Sequence, residues 1–390
     1  MARNNKIMVA GHICLDITPS FKNYSGNIND ILCPGKLVNV EDAVLSTGGA
    51  VSNTGMAMGK IGIDVMLNGK IGDDHFGTII KNLVGKDRSK SFKVVSGQSS
   101  SYSVVLAIPG IDRIFLHNPG TNDTFTSNDI DYDAAMECCL FHFGYPPLMK
   151  QMYLNQGSEL VKIFEKVQKN GTITSLDMTL PDPDSESGKV DWPAIIKNTL
   201  PFVDIFMPSI EEIAYMLDRN MFTEKKNSGK HDPVLAYDAC DCELLADKLL
   251  AMGVKIVAIK CGINGLFLKT APKEKLTALS NKMNIELWAD QKMWMPSFFA
   301  EKFASATGAG DATIGGFLAA VVNECGPRES LAIANAMGLQ NVAQFDTLSG
   351  IGTWEDTVRI ANDSSLKQNL HENVTENWHY DSGNRVYIPA

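Results

Sequence analysis

One acid stands where a helix is predicted to begin. Asp311 follows the triplet Gly308-Ala309-Gly310 in the stretch ASATGAGDATIGGFLAA, residues 304–320. Beyond it, apolar residues recur with the spacing of a buried helix face, at Ile314, Phe317, Leu318, Val321 and Val322. The small triplet therefore lies at the N-terminus of a buried helix.

Backbone N–H groups at a helix N-terminus are unpaired and the helix dipole is positive there, so small residues let an anion approach. A carboxylate beside a bound phosphate is repulsive unless it accepts a proton from an attacking hydroxyl. The stretch predicts phosphoryl transfer, with Asp311 as general base and the amides of Gly308, Ala309 and Gly310 as an anion hole. A helix cap after a glycine turn explains the same residues, and the stretch alone leaves both interpretations open.

Several other phosphate-binding and hydrolytic motifs are absent from the sequence. Gly-Lys occurs six times and is never followed by Ser or Thr, which excludes a Walker A loop. The HRD and DFG tripeptides of protein kinases, the G-x-G-x-x-G of dinucleotide-binding folds and the H-E-x-x-H of zinc hydrolases do not occur either.

Composition limits the class of protein. The 390 residues are 44% hydrophobic and 21% charged, which allows a large core. The net charge of -10 argues against nucleic acid as the main partner, because phosphate backbones require a basic face. We find no signal-peptide pattern and no apolar run of about 18 residues, and the eight cysteines lack zinc-ligand spacing. The expectation is a soluble, cytoplasmic protein with reduced thiols and no membrane partner.

Strand-like and helical patterns alternate along the chain, as in a mostly parallel sheet covered by helices. Two segments depart from this rhythm, and we expect 17–47 and the hairpin 101–117, with a turn at 109–112, to build a small β lid. Residues 220–240 and 269–303 are interpreted as insertions. We predict one domain over 1–390, with 362–390 as a C-terminal extension.

The ordered motifs of the chain resemble those of the PfkB, or ribokinase-like, family of carbohydrate kinases. Six segments match in the family's order: Val9-Ala10-Gly11 with Asp16, Gly48-Gly49-Ala50-Val51-Ser52-Asn53, Gly72 to Gly77, Pro208 to Glu212, Lys260 to Gly265, and Ser305 to Asp311. The resemblance implies a three-layer α/β/α fold with a small β-sheet lid, and an ATP- and Mg²⁺-dependent kinase that phosphorylates a sugar hydroxyl.

The resemblance also implies roles for particular residues. The sugar would be bound by Asp16, Gly48, Gly49, Asn53 and, from the lid, Arg113. The nucleotide would be bound by Lys260, Gly262, Gly265, Thr307 and Asn335. Glu212 would help to hold Mg²⁺, directly or through water, since hard oxygen ligands suit this ion.

Two positions depart from the family pattern. Ser209 replaces the usual Asn, and Ser305 replaces the leading Asp that binds an activating monovalent cation in many relatives, so the sequence gives no support for potassium activation. His12, His75, His117 and His142 show no ligand spacing and are not required by the mechanism. A nucleoside kinase of the same family and a non-catalytic sugar- or nucleotide-binding regulator stay open as alternatives. The resemblance also allows a homodimer formed through the lid.

Overall fold

The computed structural model describes residues 5–21, 28–108, 113–371 and 377–390. Sixteen strands lie in these ranges: β1 (Ile7–Gly11), β2 (Cys14–Ser20), β3 (Glu41–Gly48), β4 (Val65–Asn68), β5 (Lys70–Gly72), β6 (Lys93–Val95), β7 (Tyr102–Leu106), β8 (Ile114–Asn118), β9 (Leu140–Gly144), β10 (Ile173–Leu176), β11 (Ile205–Phe206), β12 (Ile256–Lys260), β13 (Leu266–Thr270), β14 (Lys292–Met295), β15 (Trp378–Asp381) and β16 (Val386–Pro389).

The same ranges contain fifteen α-helices: α1 (Ile28–Ile31), α2 (Ala50–Lys60), α3 (His75–Val84), α4 (Tyr132–Met136), α5 (Lys150–Tyr153), α6 (Ser158–Lys169), α7 (Trp192–Thr199), α8 (Ile210–Leu217), α9 (Arg219–Lys226), α10 (Ala239–Ala251), α11 (Lys273–Leu276), α12 (Ile285–Trp288), α13 (Ala309–Val322), α14 (Pro327–Val342) and α15 (Trp354–Asn362).

Ten strands form the main sheet, in the order β15-β16-β14-β13-β12-β11-β10-β9-β1-β4. Pairing is parallel from β4 through β12 and antiparallel from β12 to β15. Strands β1, β9, β10 and β11 are buried along their whole length, as expected where helices cover both faces of a parallel sheet. Helices α2, α13 and α14 cover one face, and α6, α7, α8 and α10 cover the other.

Helix α13 lies close to two neighbours because it carries glycines at the contacts. A Cβ atom on Gly315 would lie 3.4 Å from the Thr54 carbonyl oxygen of α2, and one on Gly316 would lie 3.0 Å from Ala334 Cα of α14. This close packing brings the start of α13 against the first turn of α2.

The smaller lid sheet has the order β3-β2-β7-β8. Its registers align Ser46, Asp16, Ser103 and His117 in one row across the four strands. Side chains in such a row share one face of the sheet. The lid therefore presents a polar row that includes Asp16.

Most of the predicted rhythm is confirmed. The predicted strands 172–177 and 255–260 are β10 and β12, and the two predicted hairpin strands are the antiparallel pair β7 and β8. The turn predicted at 109–112 lies outside the described residues. The interpretation of 269–303 as an insertion is wrong in part, because β14 belongs to the main sheet. Within the described ranges, no helix is long and apolar enough to cross a membrane.

The C-terminal segment continues the main sheet with β15 and β16. Before these strands, the Phe299 amide donates to Lys367 O at 2.8 Å and the Asn369 amide donates to Ser297 O at 2.9 Å. His371 Nδ1 lies 3.2 Å from Asn264 Oδ1 in the loop between β12 and β13. The segment thus packs against the loop that the family resemblance predicts to bind the nucleotide.

Candidate active site

Asp311 lies in the first turn of α13 and is 3% exposed. Gly308 precedes this helix with a φ of 76°, a left-handed conformation that favours glycine. Three side chains donate hydrogen bonds to the carboxylate: Asn53 Nδ2 to Oδ2 at 3.0 Å, Thr54 Oγ1 to Oδ1 at 3.1 Å, and the Tyr145 hydroxyl to Oδ2 at 2.8 Å. A buried carboxylate with three donors is held in one orientation.

Two opposing effects set the proton affinity of Asp311. Burial raises the pKa of its carboxyl, and the hydrogen bonds from Tyr145, Asn53 and Thr54, together with the Lys260 charge, lower it in part. The net pKa is above the ordinary value of an aspartate. A raised pKa makes the carboxylate a stronger proton acceptor, which is the property that a general base needs.

Tyr145 is a site residue that the motifs do not reveal. It follows β9 directly, at the carboxyl end of a central parallel strand, and has a left-handed backbone with φ of 65°. Ligand sites of open α/β sheets lie at these strand ends. The sequence analysis predicts no strand at 140–144, so the sequence offers no signal for Tyr145.

We expect Tyr145→Phe to move the acidic limb of the kcat/KM pH profile to higher pH. The Tyr145 hydroxyl stabilises the charged form of Asp311, so its loss raises the pKa of Asp311 and the base becomes protonated at higher pH. Loss of one such hydrogen bond should lower kcat by about tenfold at most. Tyr153→Phe, in the core beside Trp192, is the matched control. An unmoved limb in Tyr145→Phe would contradict this role.

One of the three amides predicted to form the anion hole already donates a hydrogen bond. The Ala309 amide donates to Ala306 O at 3.1 Å, and the Ala312 amide donates to Gly308 O at 2.8 Å. Among the described residues, the amides of Gly308 and Gly310 have no hydrogen-bond partner outside α13. These two amides are therefore better placed to bind an anion. An anion at the Ala309 amide would compete with the hydrogen bond to Ala306 O.

The predicted sugar residues lie together at one side of Asp311. Asp16 is half-buried and accepts from Cys14 Sγ at 3.4 Å, and a Cβ on Gly48 would collide with its carboxylate. Burial raises the pKa of Asp16. Gly49 has a φ of 88° and leaves no room for a side chain beside the His12 ring. Asn53 also belongs here, and its buried Oδ1 has no partner among the described residues.

Lys260 lies on the opposite side, beneath the glycine turn. Its Nζ forms a buried ion pair with Asp177 Oδ1 at 2.5 Å and donates to Met207 O, and its Cε would lie 3.5 Å from a Cβ on Gly310. Burial lowers the pKa of the Lys260 ammonium, but the nearby carboxylates of Asp177 and Glu212 raise it by more. The net pKa is above the ordinary value of a lysine, so the amine is charged. Asp177 follows β10 directly. This strand is predicted from the sequence, but no motif marks the acid at its end.

Three of the other residues predicted to bind the nucleotide, Gly262, Gly265 and Asn335, lie at or beside the loop after β12. Gly262 faces Val234, and Gly265 lies against the backbone of Met295. Asn335 Nδ2 donates to Pro296 O at 3.1 Å, so this side chain fixes the backbone beside Gly265.

Glu212 is tied to the start of α8. Its Oε2 accepts from the Ser209 amide at 2.6 Å, and Ser209 Oγ accepts from the Glu212 amide at 3.3 Å. Among the described residues, no three His, Cys, Asp or Glu side chains form a metal-binding group. One carboxylate with an oxygen left to bind still fits Mg²⁺, which keeps several waters and takes most other ligands from substrate phosphates.

Arg113, directly before β8 of the lid, contacts the segment that leads into the glycine turn. Its Nη1 donates to Thr307 Oγ1 and its Nη2 donates to Ser305 Oγ. The guanidinium therefore lies beside the predicted anion hole, at the position where Ser305 replaces an aspartate.

The sequence profile of the pfkB family carbohydrate kinases matches residues 4–353. The chain belongs to the PfkB family. A sugar kinase of Archaeoglobus fulgidus, described as uncharacterized, is 25% identical over 278 residues, which cover 70% of this chain and 90% of that protein.

Solved PfkB-like structures share the fold. The structure of Arabidopsis thaliana ribokinase, complexed with ribose and ATP, matches with a TM-score of 0.67 and 16% sequence identity. The match covers 92% of this chain and 99% of the ribokinase chain. The structure of a nucleoside kinase of Burkholderia thailandensis, in complex with inosine, matches with a TM-score of 0.61 and 16% sequence identity. The match covers 91% of this chain and 98% of the nucleoside kinase chain. The PfkB chain described here has the ribokinase-like α/β fold and is a sugar kinase, a phosphotransferase with an alcohol group as acceptor.

Proposed function

We propose that this PfkB protein uses ATP to phosphorylate a hydroxyl of a sugar, with Asp311 as the general base. The observation that carries the proposal is the setting of Asp311. It is buried at a helix N-terminus, held by Asn53, Thr54 and Tyr145, and close enough to Lys260 to feel its charge.

The sugar would lie against Gly48 and Gly49, with hydroxyls bound by Asp16 and by Asn53 Oδ1. Asp311 would take the proton of the attacking hydroxyl as that oxygen approaches the γ-phosphorus of ATP in line. The amides of Gly308 and Gly310, with Ala309 if its turn bond opens, would stabilise the charge that develops on the phosphoryl oxygens. Gly262, Gly265, Asn335 and Thr307 would line the nucleotide site.

Mg²⁺, when bound, would neutralise part of the phosphate charge. Glu212 would hold it, directly or through water. The positive charge of Lys260, fixed by Asp177, adds to the attraction of this region for phosphate.

The proposal is tested with purified protein, ATP and Mg²⁺ against a panel of sugars, with and without K⁺, by measuring ADP and phosphosugar formation. We expect stoichiometric transfer to at least one sugar and no requirement for K⁺. ADP formation that is independent of every sugar would contradict the assignment.

A nucleoside acceptor is the second candidate. Three rings would line the acceptor side. The centroid of the His12 ring lies 5.5 Å from that of His117 and 6.3 Å from that of Tyr145. Aromatic rings can stack on a base. The panel should therefore include adenosine, guanosine and inosine, and transfer to these alone would favour this candidate.

We expect Arg113→Ala to lower kcat by about 10²-fold, the usual cost of removing one donor to a developing negative charge. The contacts with Ser305 and Thr307 support a role for its charge at the proposed phosphate side, and on this assignment the KM for the sugar should change little.

Arg113→Lys is the matched variant, which retains the charge and loses the two-pronged donor geometry. It should recover part of kcat. A rise in sugar KM at unchanged kcat in Arg113→Ala would instead place the guanidinium on the sugar, as the sequence suggested.

A further inference from the structure

His12 is a buried residue that the proposed chemistry does not use. It follows β1, is 2% exposed, and neither of its ring nitrogens has a hydrogen-bond partner among the described residues. Leaving a buried polar group without a partner is destabilising, so such groups are rare unless they serve a ligand.

The ring of His12 occupies the acceptor side of the site. Its Nδ1 lies where a side chain on Gly49 would be, and its ring is 5.5 Å from that of His117 on the lid and 6.3 Å from that of Tyr145, which contacts Asp311. The imidazole thus lies between the lid and the proposed base. A hydroxyl presented to Asp311 has its neighbouring hydroxyls within this region.

Both imidazoles at this side are neutral. Burial, with a contribution from His117, lowers the pKa of His12 to about 3. Burial also lowers the pKa of His117, whose Nδ1 is 2.9 Å from Ser103 Oγ. A neutral imidazole offers one donor and one acceptor, the pair that a sugar hydroxyl also offers.

The charged groups at this side are carboxylates. Asp16 lies in the same lid row as His117, Asp311 lies opposite, and Asp123 is near enough to His117 to affect its pKa. Two cations lie nearby but face away from the acceptor: the Arg113 guanidinium is directed to Ser305 and Thr307, at the proposed phosphate side, and Lys150 pairs with Glu186 at 2.8 Å. A phosphate or carboxylate on the acceptor would be repelled by this arrangement.

We propose that the acceptor is an uncharged polyhydroxy sugar, neither a sugar phosphate nor a sugar acid, and that His12 is a specificity-determining residue that hydrogen-bonds one of its hydroxyls. This inference rests on the proposed sugar-kinase function. It assigns the two unpartnered nitrogens of His12 and the unpartnered Oδ1 of Asn53 to the same ligand.

The first experiment compares neutral pentoses, hexoses and polyols with their phosphates and with aldonic and keto acids, using ATP and Mg²⁺. We expect kcat/KM for the best neutral sugar to exceed that for its charged derivatives by at least about 10²-fold. Transfer only to sugar phosphates or acids would overturn the inference and leave the kinase function standing. Transfer to no acceptor would overturn the kinase function itself.

The second experiment compares the natural protein with His12→Phe on the accepted sugar and its monodeoxy analogues. In the natural protein one analogue should lose at least about tenfold in kcat/KM, and His12→Phe should abolish that preference. The melting temperature should stay the same or rise, because a buried unpartnered polar group is removed. A merely structural His12 would instead give a lower melting temperature with an unchanged preference among analogues.

His75→Phe, at an exposed position on α3, is the matched control and should change neither property. Should His12→Phe fail to fold, His12→Leu replaces it in the analogue series, because Asp16 and Asn53 are also proposed to bind hydroxyls and only a variant of His12 isolates its contribution. Equal turnover of the parent sugar and all its monodeoxy analogues would overturn the role of His12.

Discussion

Asp311→Asn should fold normally and lose about 10³-fold in kcat, the middle of the range for removal of a general base. An amide cannot take the proton of the attacking hydroxyl. The fold should tolerate the change because Asn53 can turn its amide. Asn53 Oδ1, which has no partner among the described residues, would then accept a hydrogen bond from the NH₂ group introduced at position 311. Circular dichroism and ATP affinity should be unchanged, and turnover under saturating substrates measures the loss.

Asp16→Asn is the matched control for Asp311→Asn. It makes the same atomic change in a half-buried carboxylate of the site, but Asp16 lies on the lid, among the residues proposed to bind the sugar. We expect it to raise the sugar KM more than it lowers kcat. Near-normal kcat in Asp311→Asn would refute the base assignment, whatever the control shows.

Lys260→Met should reduce the free energy of unfolding by about 3–5 kcal/mol, because removal of one partner leaves a buried charge uncompensated. The side chains of Lys260 and Asp177 are 12% and 3% exposed, so water cannot replace the lost ammonium. Urea denaturation measures the change. Lys169→Met, which breaks the exposed pair with Glu165 at 2.8 Å, should cost no more than about 1 kcal/mol.

The double variant Lys260→Met/Asp177→Leu separates stability from function. Replacing both charges with apolar groups should recover most of the lost stability. Activity should stay low and the KM for ATP high, since the positive charge beneath the glycine turn is gone. Full recovery of activity in the double variant would show that the pair serves only the fold.

The sequence identified those parts of the site that depend on local geometry. A glycine turn before a buried helix is specified within 304–320, and α13 begins where the apolar spacing predicts. The alternation of strands and helices likewise follows from short-range periodicity, which is why β10 and β12 were located closely.

Residues that reach the site from distant segments were not identified. Tyr145 and Asp177 each follow a strand, but only the strand order places them beside Asp311 and Lys260. The sequence likewise could not show that Arg113 contacts the glycine turn, because that contact joins segments more than 190 residues apart. The same limit explains the error at 269–303, since β14 pairs antiparallel with β13 and β16 and such strands have no βα rhythm.

The hydrogen bonds from Asn53 and Thr54 to Asp311 span 258 and 257 residues. During synthesis the segment with Asn53 and Thr54 is made early and Asp311 late, and a domain generally folds as a unit. Residues of α2 and α13 belong to the same hydrophobic core. The donors and their carboxylate therefore come together only after most of the chain has been translated, so phosphoryl transfer can begin only when synthesis has passed α13.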